Sequence, residues 1–161
     1  MANTADHRAL KQALGRYPTG VTVVTARRED GEPVGLTVNS FTSVSLEPPL
    51  ILWCLDQRSP NLQAFRAAEA FAVNVLAADQ GALSTRFARP VEDKFQAVDW
   101  QPDADGAPVL AGAVARLSCR SYAEYPGGDH VILLGEVTDF VDTGGDPLVY
   151  TGGAYRVARD A

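Results

Sequence analysis

The stretch Thr37-Val38-Asn39-Ser40-Phe41-Thr42-Ser43-Val44-Ser45, closed by Pro48-Pro49, concentrates small hydroxyl and amide groups where a strand hands over to a loop. Such groups can hydrogen-bond the ring edge, sugar-chain hydroxyls and phosphate of a nucleotide-like ligand. They can equally make a polar turn whose Ser and Thr side chains satisfy their own backbone. Two further segments suit an anion: Asp56-Gln57-Arg58-Ser59-Pro60-Asn61, which ends a strand at a helix start, and Phe87-Ala88-Arg89 with Asp93-Lys94-Phe95. The unpaired N–H groups of a helix N-terminus attract negative charge, and an acidic chain that holds a phosphate needs cations placed locally. Arg58, Arg89 and Lys94 are the candidates, each also readable as a solvated surface charge; Lys94 stands out because Lys11 is the only other lysine. Finally, Gly127-Gly128-Asp129-His130 opens the run VILLGEVTDF. A histidine after a Gly-Gly turn sits at the mouth of a strand, where it can bond or stack on a ligand, or simply partner Asp129 or a carbonyl.

Other chemistries have little to stand on. No G-x-G-x-x-G follows a strand and no G-x-x-x-x-G-K-[ST] occurs, so neither phosphate-cradling loop is available. There is no G-x-S-x-G elbow, and the two histidines, His7 and His130, are far apart in sequence. That disfavours Ser-His-Asp hydrolysis and metal clusters. Cys54 and Cys119 stand alone in strand-like contexts and read as reduced packing residues.

The chain has 161 residues, 46% of them hydrophobic, which suits one domain spanning 1–161 with its own core and leaves no room for two nucleotide-binding domains side by side. Fourteen Lys and Arg against twenty Asp and Glu give a net charge of −6, which disfavours a nucleic-acid partner. No apolar run approaches the ~20 residues of a membrane span, and MANTADHRALKQ lacks the apolar stretch of a secretory signal. A cytoplasmic location is expected.

The elements that must position these residues read as follows. ADHRALKQALGRY puts Ala9, Leu10, Ala13, Leu14 and Tyr17 on one helical face, with Asp6 as N-cap. GVTVVTARREDGEPVGLTV reads as a hairpin turning at Asp30-Gly31. LILWCL is fully apolar, as in a strand buried on both faces. Ser59-Pro60 caps a helix at NLQAFRAA, AFAVNVL is a strand, and Asp79 caps a second helix, QGALSTRFA. VARLSCRSYAEY, DHVILLGEVTDFVD and PLVYTGGAYRV return to strand patterns. The sum is a mainly β chain with a few short helices and a small closed barrel of some six to eight strands, not a doubly wound α/β fold.

These residues resemble the short-chain flavin reductases, the reductase partners of two-component flavin monooxygenases, built on the FMN-binding split barrel. The resemblance runs over about residues 7–156. It rests on T-x-N-S-F-x-S-V-S-x-x-P-P combined with G-D-H, supported by FAVNVLAADQGALSTRFA, EDKF and PLVYTGGAYR. It implies a split β-barrel of Greek-key type, a homodimer, FMN or FAD as the flavin, and NADH or NADPH bound over it. By the same resemblance Thr37, Val38, Asn39 and Ser40 line the flavin ring. Ser43 and Ser45, with Asp56, Gln57, Arg58, Ser59 and Asn61, follow the ribityl chain and phosphate. Phe87, Ala88 and Lys94 complete the phosphate side, His130 meets the nicotinamide, and Tyr155 closes the site. The implied activity is an NAD(P)H-dependent flavin reductase that supplies reduced flavin to a monooxygenase. The alternative is a redox carrier that keeps its FMN.

Overall fold

The computed structural model describes residues 4–158, so the three outermost residues at each end of the expected domain lie outside the described residues. In chain order the elements are α1 (Thr4–Leu14), β1 (Thr19–Gly20), β2 (Thr22–Arg27), β3 (Pro33–Val38), β4 (Thr42–Leu46), β5 (Pro49–Asp56), α2 (Leu62–Ala67) and β6 (Ala70–Val75). There follow α3 (Gly81–Ala88), β7 (Trp100–Pro102), β8 (Pro108–Leu110), β9 (Ala115–Gly127), β10 (His130–Asp142), β11 (Leu148–Thr151) and β12 (Ala154–Val157). Strand dominates, as the alternating Val and Thr runs require. Among the described residues no helix is long and apolar enough to cross a membrane.

Seven strands form one antiparallel ladder in the order β3-β2-β6-β9-β10-β5-β4. Side chains alternate faces along a strand, and β3 shows the consequence. Val34 and Val38 join a core containing Ile51, Trp53 and Leu55 of β5, although β3 and β5 lie near opposite ends of the ladder. The sheet therefore curls until its ends face one another. Gly35 and Thr37 point the other way, toward α3 and a second core built on Val23, Leu76, Phe87 and Leu148. The ladder stays open between β3 and β4, where a closed barrel was expected.

Within the curl, α2 closes one end by burying Leu62 and Phe65. Phe65 and Phe71 meet Trp53 edge-on, with centroids 4.9 and 6.0 Å away. Gly135 lies where a Cβ would collide with the Phe71 ring, so this position of β10 needs glycine. A buried polar network docks β8 onto the sheet: Asn74 Nδ2 donates to the Val23 carbonyl at 3.0 Å, and its Oδ1 accepts from Leu110 N at 2.8 Å. Thr25 Oγ1 completes the network with a short bond to the Pro108 carbonyl.

Several local expectations change. Helix α1 begins at Thr4, so Asp6 sits in its first turn and is not its N-cap. Helix α2 starts at Leu62 behind Asn61; Ser59 and Pro60 form the preceding turn, in which Ser59 Oγ accepts from Asn61 N at 3.2 Å. Helix α3 starts behind Gln80, not Asp79, and the Gln80 carboxamide instead ties Ala77 N to the Ala111 carbonyl. Strand β5 alternates buried Ile51, Trp53 and Leu55 with half-buried Leu52, Cys54 and Asp56, so one face is not sealed within this chain. The segment read as a loop before β5 holds a strand, β4.

Candidate functional site

Strand β3 organises the residues singled out from the sequence. At its start, Lys94 crosses from the loop after α3 and donates from Nζ to the Phe87 carbonyl at 2.8 Å and the Gly35 carbonyl at 3.2 Å. An ammonium carries three N–H donors, so one remains. Burial pushes the Lys94 pKa below the ordinary lysine value. A cavity of about 230 Å³ opens beside it, lined by Gly35, Pro60, Asn61, Val91, Lys94 and Phe95. Gly35 is required for the approach: a Cβ there would come 3.0 Å from Phe87 Cε1.

Two residues on, Thr37 Oγ1 donates to the Ser84 carbonyl at 2.6 Å, and Ser84 Oγ shares a 2.7 Å hydrogen bond with Tyr155 Oη. This chain links β3, α3 and β12, and Tyr155 meets Tyr150 edge-on at 5.7 Å. Beyond the end of β3, Ser40 Oγ accepts from Cys54 N at 2.9 Å and lies 3.3 Å from the Cys54 carbonyl. The Ser40 hydroxyl thus holds the two ends of the curled sheet together where no ladder does. Asn39, between these contacts, is exposed.

A second cluster gathers where β5 ends beside the β9–β10 turn. His130 is registered opposite Asp56. Gln57 N donates to the Asp129 carbonyl at 3.0 Å, and Gln57 Nε2 to the Gly128 carbonyl at 2.9 Å. Gly128, at φ 73°, supplies the left-handed turn. Asp56 accepts from Arg58 N at 2.8 Å and from its guanidinium at 2.9 and 3.2 Å, which holds its pKa down to about 2. Arg58 is thereby committed to Asp56. His130 Nδ1 lies 2.7 Å from Asp129 Oδ1, and this bond to His130 lowers the Asp129 pKa. The second ring nitrogen, Nε2, has no partner among the described residues.

The structure redistributes the expected roles. Phe87 is fully buried against Phe95, so its ring packs the core and only its carbonyl reaches Lys94. Val38 is likewise a core side chain and offers a ligand only backbone. Ala88 is exposed at the end of α3, and Ser59 serves the turn before α2. Ser43 and Ser45 pair with Ile51 and Leu50, five or more residues before Asp56 on β5. At about 3.3 Å per residue they lie some 17 Å or more from the Asp56–Asn61 segment, so one chain does not bring the two sets together. Ser45 Oγ donates to the Pro48 carbonyl, which is the polar-turn role. Sequence reasoning missed Ser84, hidden inside the helix QGALSTRFA, and the Gly35 carbonyl, signalled only by a lone glycine in PVGLTV.

Among the described residues no group of three or more His, Cys, Asp or Glu is placed to hold a metal ion. The arrangement offers a cation beside a cavity, hydroxyls along a strand, and an imidazole at a strand mouth, with no nucleophile set against a base.

A family model described as a flavin reductase like domain matches residues 14–159. A probable flavin reductase of Rhizobium meliloti is 48% identical over 98% of this chain, which spans 51% of that relative. An FMN reductase (NADH), SmoA, of Agrobacterium fabrum is 48% identical over 93% of this chain and 85% of its own length. Among solved structures, an NADH:FAD oxidoreductase of Streptomyces globisporus in complex with NAD and FAD fragments superposes with a TM-score of 0.91. It is 42% identical, covering 100% of this chain and 96% of that one. A homologue of nitrilotriacetate monooxygenase component B from Mycobacterium thermoresistibile gives a TM-score of 0.94 at 35% identity, over 98% of this chain and 89% of that one. The chain thus spans about half the length of the first of these relatives and most of the others.

Proposed function

The chain belongs to the flavin reductase like domain family, and on that premise we propose that it is an NAD(P)H:flavin oxidoreductase whose reduced flavin is passed to a partner monooxygenase. The observation that carries this reading is the Lys94 ammonium, held between two carbonyls at the start of β3 with one N–H left over a cavity. In an acidic chain with two lysines, a half-buried cation so placed fits a flavin phosphate.

From Lys94 to Ser40 the β3 segment covers about 17–20 Å, a length that accommodates a flavin from phosphate to ring. Lys94 and Asn61 would hold the phosphate. Thr37, Asn39, the Val38 backbone and the Ser40 turn would border the ring, and the Ser84–Tyr155 pair would fix the wall beside it. With both nucleotides bound, the chemistry supplied is hydride transfer from nicotinamide to flavin with uptake of one proton, which requires no protein nucleophile or base. The protein's part is orientation at contact distance. His130, its Nδ1 engaged by Asp129, would present Nε2 to the nicotinamide and position it.

Replacing His130 with alanine should therefore raise the KM for NADH or NADPH about three- to tenfold, the worth of one ordinary hydrogen bond, and change the KM for flavin less than twofold. Steady-state kinetics with each substrate varied in turn reads this directly; unchanged nicotinamide kinetics would remove His130 from the site.

The reading extends to assembly. On α1, Leu10 and Leu14 are 55% and 65% exposed, although they form its apolar face, and Tyr122, Tyr125 and Phe140 are exposed on β9 and β10. Surfaces of this kind suit burial against a second copy, completing a split barrel in a homodimer of single-domain chains. Sedimentation should give twice the 17.2 kDa chain mass. Two free cysteines, Cys54 and Cys119, accord with work in the reducing cytoplasm.

A further inference from the structure

Arg28, on the β2–β3 hairpin, lines two cavities at once. One is the 230 Å³ cavity beside Lys94 and Asn61. The other, of about 610 Å³, is lined also by Arg27, Glu29, Ala67, Glu69 and Arg120. Helix α2 spans the interval between them: Asn61 precedes its first residue and Ala67 is its last. Six residues of helix make that interval about 9 Å, the scale of a diphosphate with its attached sugar.

The neighbouring cations are already engaged. Arg27 donates from Nε to the Gly106 carbonyl at 2.6 Å and from Nη1 to the Gly31 carbonyl at 2.8 Å, and its guanidinium lies 5.3 Å from the centre of the Trp100 ring. Arg120 faces Asp105 at 3.5 Å. The Arg28 guanidinium has no hydrogen bond or ion pair among the described residues. Unlike Arg27 and Arg120, it lines the Lys94 cavity with its charge free for a ligand. The larger cavity beyond it also carries Glu29 and Glu69, which would repel a phosphate but accept hydrogen bonds from ribose hydroxyls or an exocyclic amine. Its volume falls in the range that encloses a small organic ligand.

Resting on the flavin reading, we propose that Arg28 binds the second phosphate of a flavin dinucleotide and that the larger cavity takes its adenosine, so that the protein uses FAD in preference to FMN. A mononucleotide ends at Lys94 and gains nothing from Arg28. A dinucleotide continues past it, between the hairpin and α2.

The test compares the chain with its Arg28→Gln variant, measuring NADH oxidation against FAD and against FMN. The wild type should show the lower KM for FAD, and the substitution should raise the ratio of the FAD KM to the FMN KM about five- to tenfold. AMP, which carries only the adenosine and the second phosphate, should compete with FAD but not with FMN in the wild type, and lose that effect in the variant. Equal KM values in the wild type, an unchanged ratio in the variant, or AMP competing only with NADH would overturn the assignment while leaving the flavin reading intact. Absence of turnover with either flavin would overturn the flavin reading, and this assignment with it. Arg28 is exposed on a hairpin and fills no core space, so the variant should fold normally.

Discussion

Replacing Lys94 with methionine is expected to raise the KM for flavin about ten- to a hundredfold while changing kcat at saturating flavin less than twofold. A hydrogen bond to a charged group is worth about 1.5–3 kcal/mol, and each 1.4 kcal/mol is a factor of ten in affinity. The effect should fall on binding because the ammonium sits at the end of β3 away from the Ser40 turn, where the ring would lie. Methionine keeps the length and apolar stem of lysine but leaves the Gly35 and Phe87 carbonyls without their donor, so a modest loss of stability should accompany the kinetic change. Lys94→Arg separates the two effects, since it restores the charge. Partial recovery of the flavin KM in the arginine variant identifies an anion contact. An unchanged KM in the methionine variant would reduce Lys94 to a tie between the loop after α3 and β3.

The second large effect concerns the core that lets the sheet curl. Trp53 is fully buried between Phe65 and Phe71, and it joins residues from β2, β3, β5, α2 and β10 in one cluster. Trp53→Ala should lower stability by about 3–5 kcal/mol, the usual cost of emptying an aromatic site. That is a large fraction of the total for a domain of this size. Trp53 Nε1 is buried without a hydrogen-bond partner, so indole contributes volume and ring contact rather than a polar bond. Trp53→Phe should consequently cost far less, about 1–2 kcal/mol, because it keeps an aromatic ring and leaves no polar group unsatisfied. Urea denaturation midpoints compare the three proteins; a phenylalanine variant as unstable as the alanine one would mean that the indole makes a specific bond.

The strands were legible as apolar, Val- and Thr-rich runs between turn signals: the Asp30-Gly31 hairpin, AFAVNV, which is buried on both faces, and the long β9–β10 pair all lie where their patterns point. Helix starts were less legible. Asp79 and Ser59 are good caps by residue type, yet Gln80 and Asn61 occupy those positions; at α3 the Gln80 carboxamide is held by a local bond from Ala77 N and a long-range bond to the Ala111 carbonyl, which residue type alone does not reveal. The open ladder could not be read from local pattern at all. Whether β3 pairs with β4 depends on curvature; across the gap to β5 run the shared core and the hydrogen bonds of the Ser40 hydroxyl to Cys54. In the candidate site the sequence named segments, and the structure shows what their atoms do. Phe87 contributes a carbonyl and not a ring, Ser40 supports backbone, and Ser84 is revealed only when α3 packs on β3. The separation of Ser43 and Ser45 from Asp56 follows from antiparallel register, which places residues close in sequence at opposite ends of β5.

The central claim, that the chain turns over free flavin, is tested most directly by following NADH oxidation as free FAD or FMN is added in increasing excess over the purified protein. The account predicts that oxidation continues through many equivalents, with a rate that rises and saturates with added flavin. Oxidation that stops after one equivalent of NADH per protein, whatever flavin is added, would contradict it and identify a carrier that keeps its flavin.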